Sequence, residues 1–177
     1  MDYEIYPTTA EHIVGATDVV LLKNKGCNID FVASFLDIPP ESAKNACKMA
    51  EQLGLVKTNG HGDIFYPDFP FASYLVTSNE QQKSAIMRLV LEQYEPFKTF
   101  KNRLIVVGLM QTAAEQTKIF HNLSAHRDVI KDTITSLGTF SQSLVSKGAG
   151  LYTIAELPSE RNEYLLRIKD VVANRER

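Results

Sequence analysis

The chain has 177 residues, of which 44% are hydrophobic and 23% are charged. It is therefore long enough for one globular domain or two small ones, and its composition argues against a disordered or fibrous protein. Its formal net charge of −2 and pI near 6.1 do not by themselves indicate a nucleic-acid-binding protein.

The two cysteines, Cys27 and Cys47, are too few for a disulfide framework or a four-ligand zinc site. This cysteine usage fits a reducing, intracellular setting. The first residues lack the basic and then apolar pattern of a secretory signal, and no run reaches the ~18 apolar residues of a membrane span. We therefore expect a cytoplasmic protein that does not contact a membrane.

Three helices are predicted in the first third of the chain. A capping box at residues 8–11 starts the first helix, which runs to about Lys25 and ends at Gly26. The second helix starts at Asn28 and stops before the two prolines at 39 and 40. The third spans residues 40–53, with proline in its first turn and Gly54 after its end.

A β-hairpin is predicted directly after the third helix. Residues 55–58 and 63–66 are short β-prone runs, and the Asn-Gly-His-Gly loop between them tolerates positive φ angles. Over residues 29–66 this order of elements resembles the winged-helix branch of the helix-turn-helix superfamily. The resemblance implies a module that acts by touching a partner with its third helix and its hairpin.

The second half of the chain repeats this pattern. A capping box at 78–81 leads into a long helix over residues 78–100, which Pro96 can kink or break. Another box at 112–115 starts the counterpart of the second helix. Ser124 is predicted to cap the counterpart of the third helix, with Gly138 as its stop. Strands at 144–145 and 151–154 flank a Gly-rich loop, and a last helix starts at Pro158.

Two short sequence matches support a duplication. Phe35-Leu36 followed by Leu53-Gly54 reappears as Ile119-Phe120 followed by Leu137-Gly138, in each case 84 positions later. The predicted fold class is α+β and mostly α, with tandem winged-helix modules joined by a long helix. The predicted boundaries are 1–77 for the first module, 78–100 for the connecting helix, 101–157 for the second module and 158–177 for a C-terminal helix.

The charges are distributed unevenly between the two modules. Residues 1–78 hold ten acidic and five basic side chains, whereas residues 79–177 hold eleven acidic and fourteen basic ones. By these totals the second module is the better candidate for binding DNA, but the positions of the charges favour the first module. All five basic residues of the first module lie at the end of the first helix, on the third helix or in the hairpin, which can share one face in a winged helix. In the second module, Asp128 and Asp132 project outward from the third helix and would repel phosphate.

A DNA-binding hypothesis therefore rests mainly on the first module. It requires Lys44, Asn45 and Lys48 to approach a major groove, while Lys57 and His61 touch phosphate or the minor groove. The alternative for Lys44 and Lys48 is that they are ordinary solvated lysines. The second module contributes weaker candidates because its aspartates lie among them. The candidate DNA-binding residues are Lys44, Asn45, Lys48, Lys57, His61, Arg127 and Lys131.

No enzymatic motif is found in the sequence. His121 and His126 are five positions apart, so they do not share a helical face, and no carboxylate or thiolate accompanies them at metal-binding spacing. The loop glycines lack the context of a phosphate-binding loop, and no nucleophile motif is present. We expect no catalytic residues, no metal and no cofactor.

Two functions remain open. The first is a DNA-binding protein, either a transcriptional regulator or a DNA-reading component of a larger assembly, which binds double-stranded DNA as a dimer. The second is a protein-interaction subunit in which tandem winged helices act as a scaffold or dimerisation module, similar to those that accompany chromosome-organising ATPases. The lysines of the first module favour the first function, and the aspartates of the second module favour the other.

Overall fold

The computed structural model describes residues 2–69 and 71–155, together with Leu166, Arg167 and Asp170. The described part is mostly helical with two antiparallel strand pairs, which confirms the predicted α+β class. The elements are α1 (Ala10–Leu22), α2 (Ile29–Leu36), α3 (Pro40–Gln52), β1 (Val56–Thr58), β2 (Phe65–Pro67), α4 (Phe71–Thr77), α5 (Glu80–Glu92), α6 (Glu95–Val107), α7 (Met110–His121), α8 (Arg127–Phe140), β3 (Leu144–Gly148) and β4 (Leu151–Ile154).

The order of three helices and a hairpin occurs twice. We call α1, α2, α3, β1 and β2 the first unit, and α6, α7, α8, β3 and β4 the second unit. Helices α2 and α3 start as predicted, but α1 is capped by Thr9 and not by a box at residues 8–11, and it ends at Leu22, before the predicted end near Lys25. Asn28 accepts a hydrogen bond from the Phe31 amide at the start of α2, and Pro40 occupies the first turn of α3. Gly54 follows α3 with a φ of +78°, a conformation that favours glycine.

Where the sequence predicts a long helix over 78–100, the structure has two helices, α5 and α6. The chain leaves the helical path between them at Gln93 and Tyr94, and Pro96 lies in the first turn of α6. Proline has no N–H for a continuous helix and its ring clashes with the preceding turn, so the break precedes it. The capping box of α5 is formed by Asn79 and Gln82, one residue later than predicted.

Three helix ends of the second unit differ from the predictions. Helix α7 starts at Met110, before the predicted box at Thr112, and no side chain caps it. Helix α8 is capped by His126, whose Nδ1 accepts from the Asp128 amide, and not by Ser124. The same helix continues through Gly138, which is buried; a Cβ there would collide with the Leu144 side chain of β3. Gly138 is therefore a packing glycine and not a stop.

The spacing between the units is not constant. The left-handed residue that ends α2, Asp37, corresponds to Asn122 at the end of α7, 85 positions later. The starts of α3 and α8, Pro40 and Arg127, are 87 positions apart. Helix α7 has 12 residues where α2 has 8. The 84-residue spacing found in the sequence therefore identifies the repeated order of elements but not the equivalent residues at every position.

The N-terminal segment, residues 2–9, joins the two units. The Glu4 amide donates to Gln52 Oε1 of α3 over 3.1 Å, and the Glu4 carboxylate accepts from the amides of Ser124 (3.0 Å) and Ala125 (3.2 Å) just before α8. The Ala10 amide donates to Ser136 Oγ of α8 over 2.8 Å. One continuous cluster of buried apolar side chains includes both units.

None of the described helices is both long and apolar enough to cross a membrane. The predicted C-terminal helix from Pro158 lies outside the described residues, except for Leu166, Arg167 and Asp170, which are helical and exposed.

Candidate nucleic-acid interface

Helix α3 turns its small side chains inward and its charged ones outward. Ala43, Ala46, Cys47 and Ala50 are fully buried against α1 and α2, and these small residues allow close packing of the helices. At 100° per residue the opposite side carries the charged residues. Lys44, Glu41 and Glu51 are exposed there, and Asn45 and Lys48 are half-buried.

Lys48 is held at the edge of this face. Its Nζ lies 5.1 Å from the centroid of the Tyr6 ring, a cation–π contact with the N-terminal segment. The Tyr6 amide lies 3.4 Å from Met49 Sδ, which keeps the ring next to α3. Lys44 and Lys48 are therefore not equivalent, because only Lys44 extends into solvent without an aromatic neighbour.

The end of α1 adds two lysines. Lys23 and Lys25 follow α1 and are exposed. Lys23 Nζ lies 4.0 Å from the centroid of Phe31, at the start of α2. This contact directs Lys23 toward α2 and places its charge above an aromatic face.

The hairpin of the first unit presents its polar residues on a defined loop. Lys57 of β1 is exposed, and so is His61 at the tip. The Asn59 side chain accepts hydrogen bonds from the amides of Asp63 and Ile64, and the Gly62 amide donates to the Asn59 carbonyl. The loop is thus organised by the Asn59 side chain and by a backbone hydrogen bond, and exposed Asp63 lies two residues from His61.

The five lysines of the first unit have no carboxylate within ion-pair distance in the described part of the chain. The four ion pairs found there are Lys83–Glu80, Lys98–Glu95, His126–Asp128 and Lys131–Asp132, all outside the first unit. Lysines without an internal partner can neutralise an external anion without first breaking an ion pair. Among the described residues, the lysines without a carboxylate partner are Lys23, Lys25, Lys44, Lys48 and Lys57.

The second unit presents mixed charge on α8. Arg127 is exposed in the first turn, next to exposed Asp128 and near exposed Asp132. Lys131 is half-buried, its Nζ 3.9 Å from Asp132 Oδ1. It lines a groove of about 330 Å³ between the uncapped start of α7 and the tip of the second hairpin.

Burial shifts the pKa of a cysteine and of a histidine in the described part of the chain. Burial, with a smaller contribution from nearby Cys27, raises the pKa of the Cys47 thiol to about 12, so this thiol is protonated at neutral pH. Burial lowers the pKa of His121, whose Nε2 lies 2.7 Å from Thr99 Oγ1. Within the described ranges, no group of three His, Cys, Asp or Glu residues is placed to hold a metal ion.

Two contributions of the N-terminal segment were not predicted from sequence. Tyr6 positions Lys48, and Glu4 joins α3 to the start of α8. Burial opposes ionisation of Glu4, but the hydrogen bonds from Ser124, Ile5 and Ala125 outweigh it and lower the pKa of this carboxyl. Neither contact has a local sequence signal, because the partners are more than 40 residues away.

Comparisons of the chain with protein-family models, with curated proteins and with solved structures gave no significant match.

Proposed function

We propose that the two units are winged-helix modules and that the protein binds double-stranded DNA, as a transcriptional regulator or as the DNA-reading part of a larger assembly. The observation that supports this proposal most is the set of five lysines after α1, on α3 and in β1, none of which has an ion pair with the described residues. These are the places from which a winged-helix module contacts the groove and the flanking phosphates.

Each candidate residue has its own role in this proposal. Lys44 and Asn45 approach base edges from the outer side of α3, where one well-placed side chain discriminates between bases by about 1–3 kcal/mol. Lys57 and His61 of the hairpin contact phosphate or the minor groove. Lys48 is positioned by Tyr6 and contributes charge at the edge of the same helix. The carboxylates of Glu41 and Glu51 oppose nonspecific binding on this face.

In the second unit, Arg127 and Lys131 add phosphate contacts near the start of α8. Helix α7 begins without a side-chain cap beside Lys131, and amides at a helix start are suitable partners for phosphate oxygens. Asp128 and Asp132 limit this contribution, so the second unit assists the first and does not replace it.

Binding to a nonspecific duplex tests the proposal. We expect the chain to shift a duplex at low salt, and Lys44→Ala/Lys48→Ala to weaken the affinity by about 1 kcal/mol or more for the pair. Lys98→Ala is the matched control, because Lys98 is an exposed helical lysine that is already paired with Glu95. Equal affinity of the wild type and the double variant would exclude α3 as the reading helix.

The second candidate function is a protein-interaction scaffold, and the exposed aspartates of α8 favour it. Asp128 and Asp132 present two negative charges on the helix that would read DNA in the second module. Such a face suits a basic protein partner. The absence of any DNA shift at low salt, together with a stable complex recovered from cells and lost in Asp128→Lys/Asp132→Lys, would establish this function in place of the first.

A further inference from the structure

The outer face of α6 and α7 carries an unusual concentration of exposed apolar side chains. Phe120 is 74% exposed and Ile119 is 71% exposed, at the end of α7. Val106, Ile105 and Leu109 are also more than half exposed, at and just after the end of α6. Single exposed apolar residues are common on protein surfaces, but several large ones on two packed helices indicate a contact surface.

This face contains a preformed groove. Thr99, Arg103, Gln116, Ile119 and Phe120 line a depression of about 290 Å³ between the two helices. Two hydrogen bonds hold the helices together along it: Arg103 Nε donates to Gln116 Oε1 over 2.6 Å, and Thr99 bonds the His121 ring. The groove therefore exists without a partner, which reduces the ordering cost of binding.

The corresponding helix end of the first unit has different surroundings. When the ends of α2 and α7 are aligned at Asp37 and Asn122, Phe35 corresponds to Phe120 and Ser34 corresponds to Ile119. Phe35 stacks on Phe31 with ring centroids 6.0 Å apart, and Lys23 covers Phe31. In the second unit Gln116 takes the place of Phe31, so Phe120 lacks this support. Phe35 is 55% exposed, less than the 74% of Phe120, and Leu22 at the end of α1 is 65% exposed.

The exposed apolar area is a large part of what a dimer needs. Ile119 and Phe120 at the end of α7, together with Ile105, Val106 and Leu109 at the junction of α6 and α7, present on the order of 600 Å² of surface. A stable interface buries about 800 Å² per partner, and homodimer interfaces are the more apolar class. The α6–α7 face would supply most of this area.

The charges on the face suit pairing with a copy of itself. Arg103 lies in the groove and Glu115 lies one turn before Ile119 on α7, and neither has an opposite charge within ion-pair distance among the described residues. In a two-fold interface the same patch faces itself, so each copy offers one cation and one anion to the other. A partner with a single sign of charge would leave one of the two unpaired.

We propose that the α6–α7 face is the interface between two copies of this chain, related by a two-fold axis. Ile119, Phe120 and Val106 form its apolar contact, and Arg103 and Glu115 form charge pairs across it. The dimer does not depend on DNA. If the proposed DNA binding is correct, the dimer presents two copies of the lysine-bearing first unit and doubles the phosphate contacts.

Sedimentation velocity of the full chain without DNA tests this inference separately from DNA binding. We expect a mass twice the 19.8 kDa of one chain. In Ile119→Lys/Phe120→Lys the mass should fall to that of one chain, whereas Phe35→Lys, at the equivalent position of the first unit, should remain dimeric. A wild-type chain that stays monomeric at about 100 µM, where a dimer with micromolar Kd would be largely formed, overturns the proposal.

A charge exchange keeps the test decisive if the apolar variants unfold. Arg103→Glu should weaken dimerisation by about tenfold or more, and adding Glu115→Arg should restore it, because the pairs are rebuilt with opposite polarity. Failure of the second change to restore the dimer would contradict the pairing. A dimer that persists in Ile119→Lys/Phe120→Lys would place the interface elsewhere.

Discussion

At the residue scale, identical side chains in the first unit have different surroundings. Lys44 extends from α3 into solvent, whereas Lys48 lies over Tyr6 and Lys23 lies over Phe31. The helical projection from sequence placed Lys44 and Lys48 on one outward side, and α3 has this orientation. It did not predict the aromatic contacts, because their partners lie on other segments of the chain.

Glu4 is a residue whose importance depends on tertiary contacts. We predict that Glu4→Gln destabilises the fold at neutral pH by about 1 kcal/mol, because the Ser124 and Ala125 amides lose their charged acceptor. The effect is small because the Glu4 side chain is partly exposed to solvent. The folded pKa of Glu4 is lowered, so the stabilisation is complete above the unfolded value of 4.5 and is lost as the pH falls through the folded pKa.

Urea unfolding of the wild type and Glu4→Gln at neutral pH and at several pH values below 4.5 measures this linkage. Exposed Glu11, in the first turn of α1, provides the control as Glu11→Gln. A stability difference between the wild type and Glu4→Gln that stays constant across this range would contradict the assigned role.

At the scale of elements, Gly138 shows why a sequence pattern for a helix stop was misleading. A Leu-Gly pair ends α3, where Gly54 has a positive φ, but the similar pair in α8 lies inside the helix. We predict that Gly138→Ala destabilises the protein by about 1–3 kcal/mol, because the methyl group overpacks against Leu144, despite the higher helix propensity of alanine.

Thermal or urea unfolding measures this effect. Gly60→Ala in the hairpin loop is the control, because no atom lies within 4 Å of the added methyl group and its φ is not in the left-handed region. Equal stability of Gly138→Ala and the wild type would show that β3 adjusts without cost.

The second hairpin depends on a side chain of α5. Arg88 is only 9% exposed and donates to the carbonyls of Gln142 and Ala155, each over 3.1 Å, on either side of the hairpin. We predict that Arg88→Ala destabilises the fold by about 1–3 kcal/mol, since two partly buried carbonyls lose a charged donor. Hydrogen exchange should increase in residues 144–154 more than in the first hairpin; equal increases in both hairpins would contradict a local role.

At the scale of the whole molecule, the repeated order of helices and hairpins could be predicted because its signals are local. Caps such as Asn28, the proline at position 40 and the β-prone runs act within a few residues. The arrangement of the two units could not be predicted in the same way. It depends on Glu4, Gln52 and Ser136, which meet partners 48 to 126 positions away.

The lysines of the first unit and the apolar face lie on different elements. The lysines lie after α1, on α3 and in β1, whereas the apolar face belongs to α6 and α7, where Leu109 also lines the groove beside Lys131. The N-terminal segment holds the units in one orientation, so a dimer through the second unit would present two first units in a defined geometry. DNA half-site spacing would then follow from the dimer.

The salt dependence of duplex binding tests the central claim most directly. The logarithm of the association constant should fall linearly with the logarithm of the salt concentration, and the slope should become shallower by about two in Lys48→Ala/Lys57→Ala, one unit for each lost phosphate contact. Lys98→Ala should keep the wild-type slope. A wild-type chain that does not bind duplex at low salt, or a double variant with an unchanged slope, would contradict DNA recognition by the lysines of the first unit.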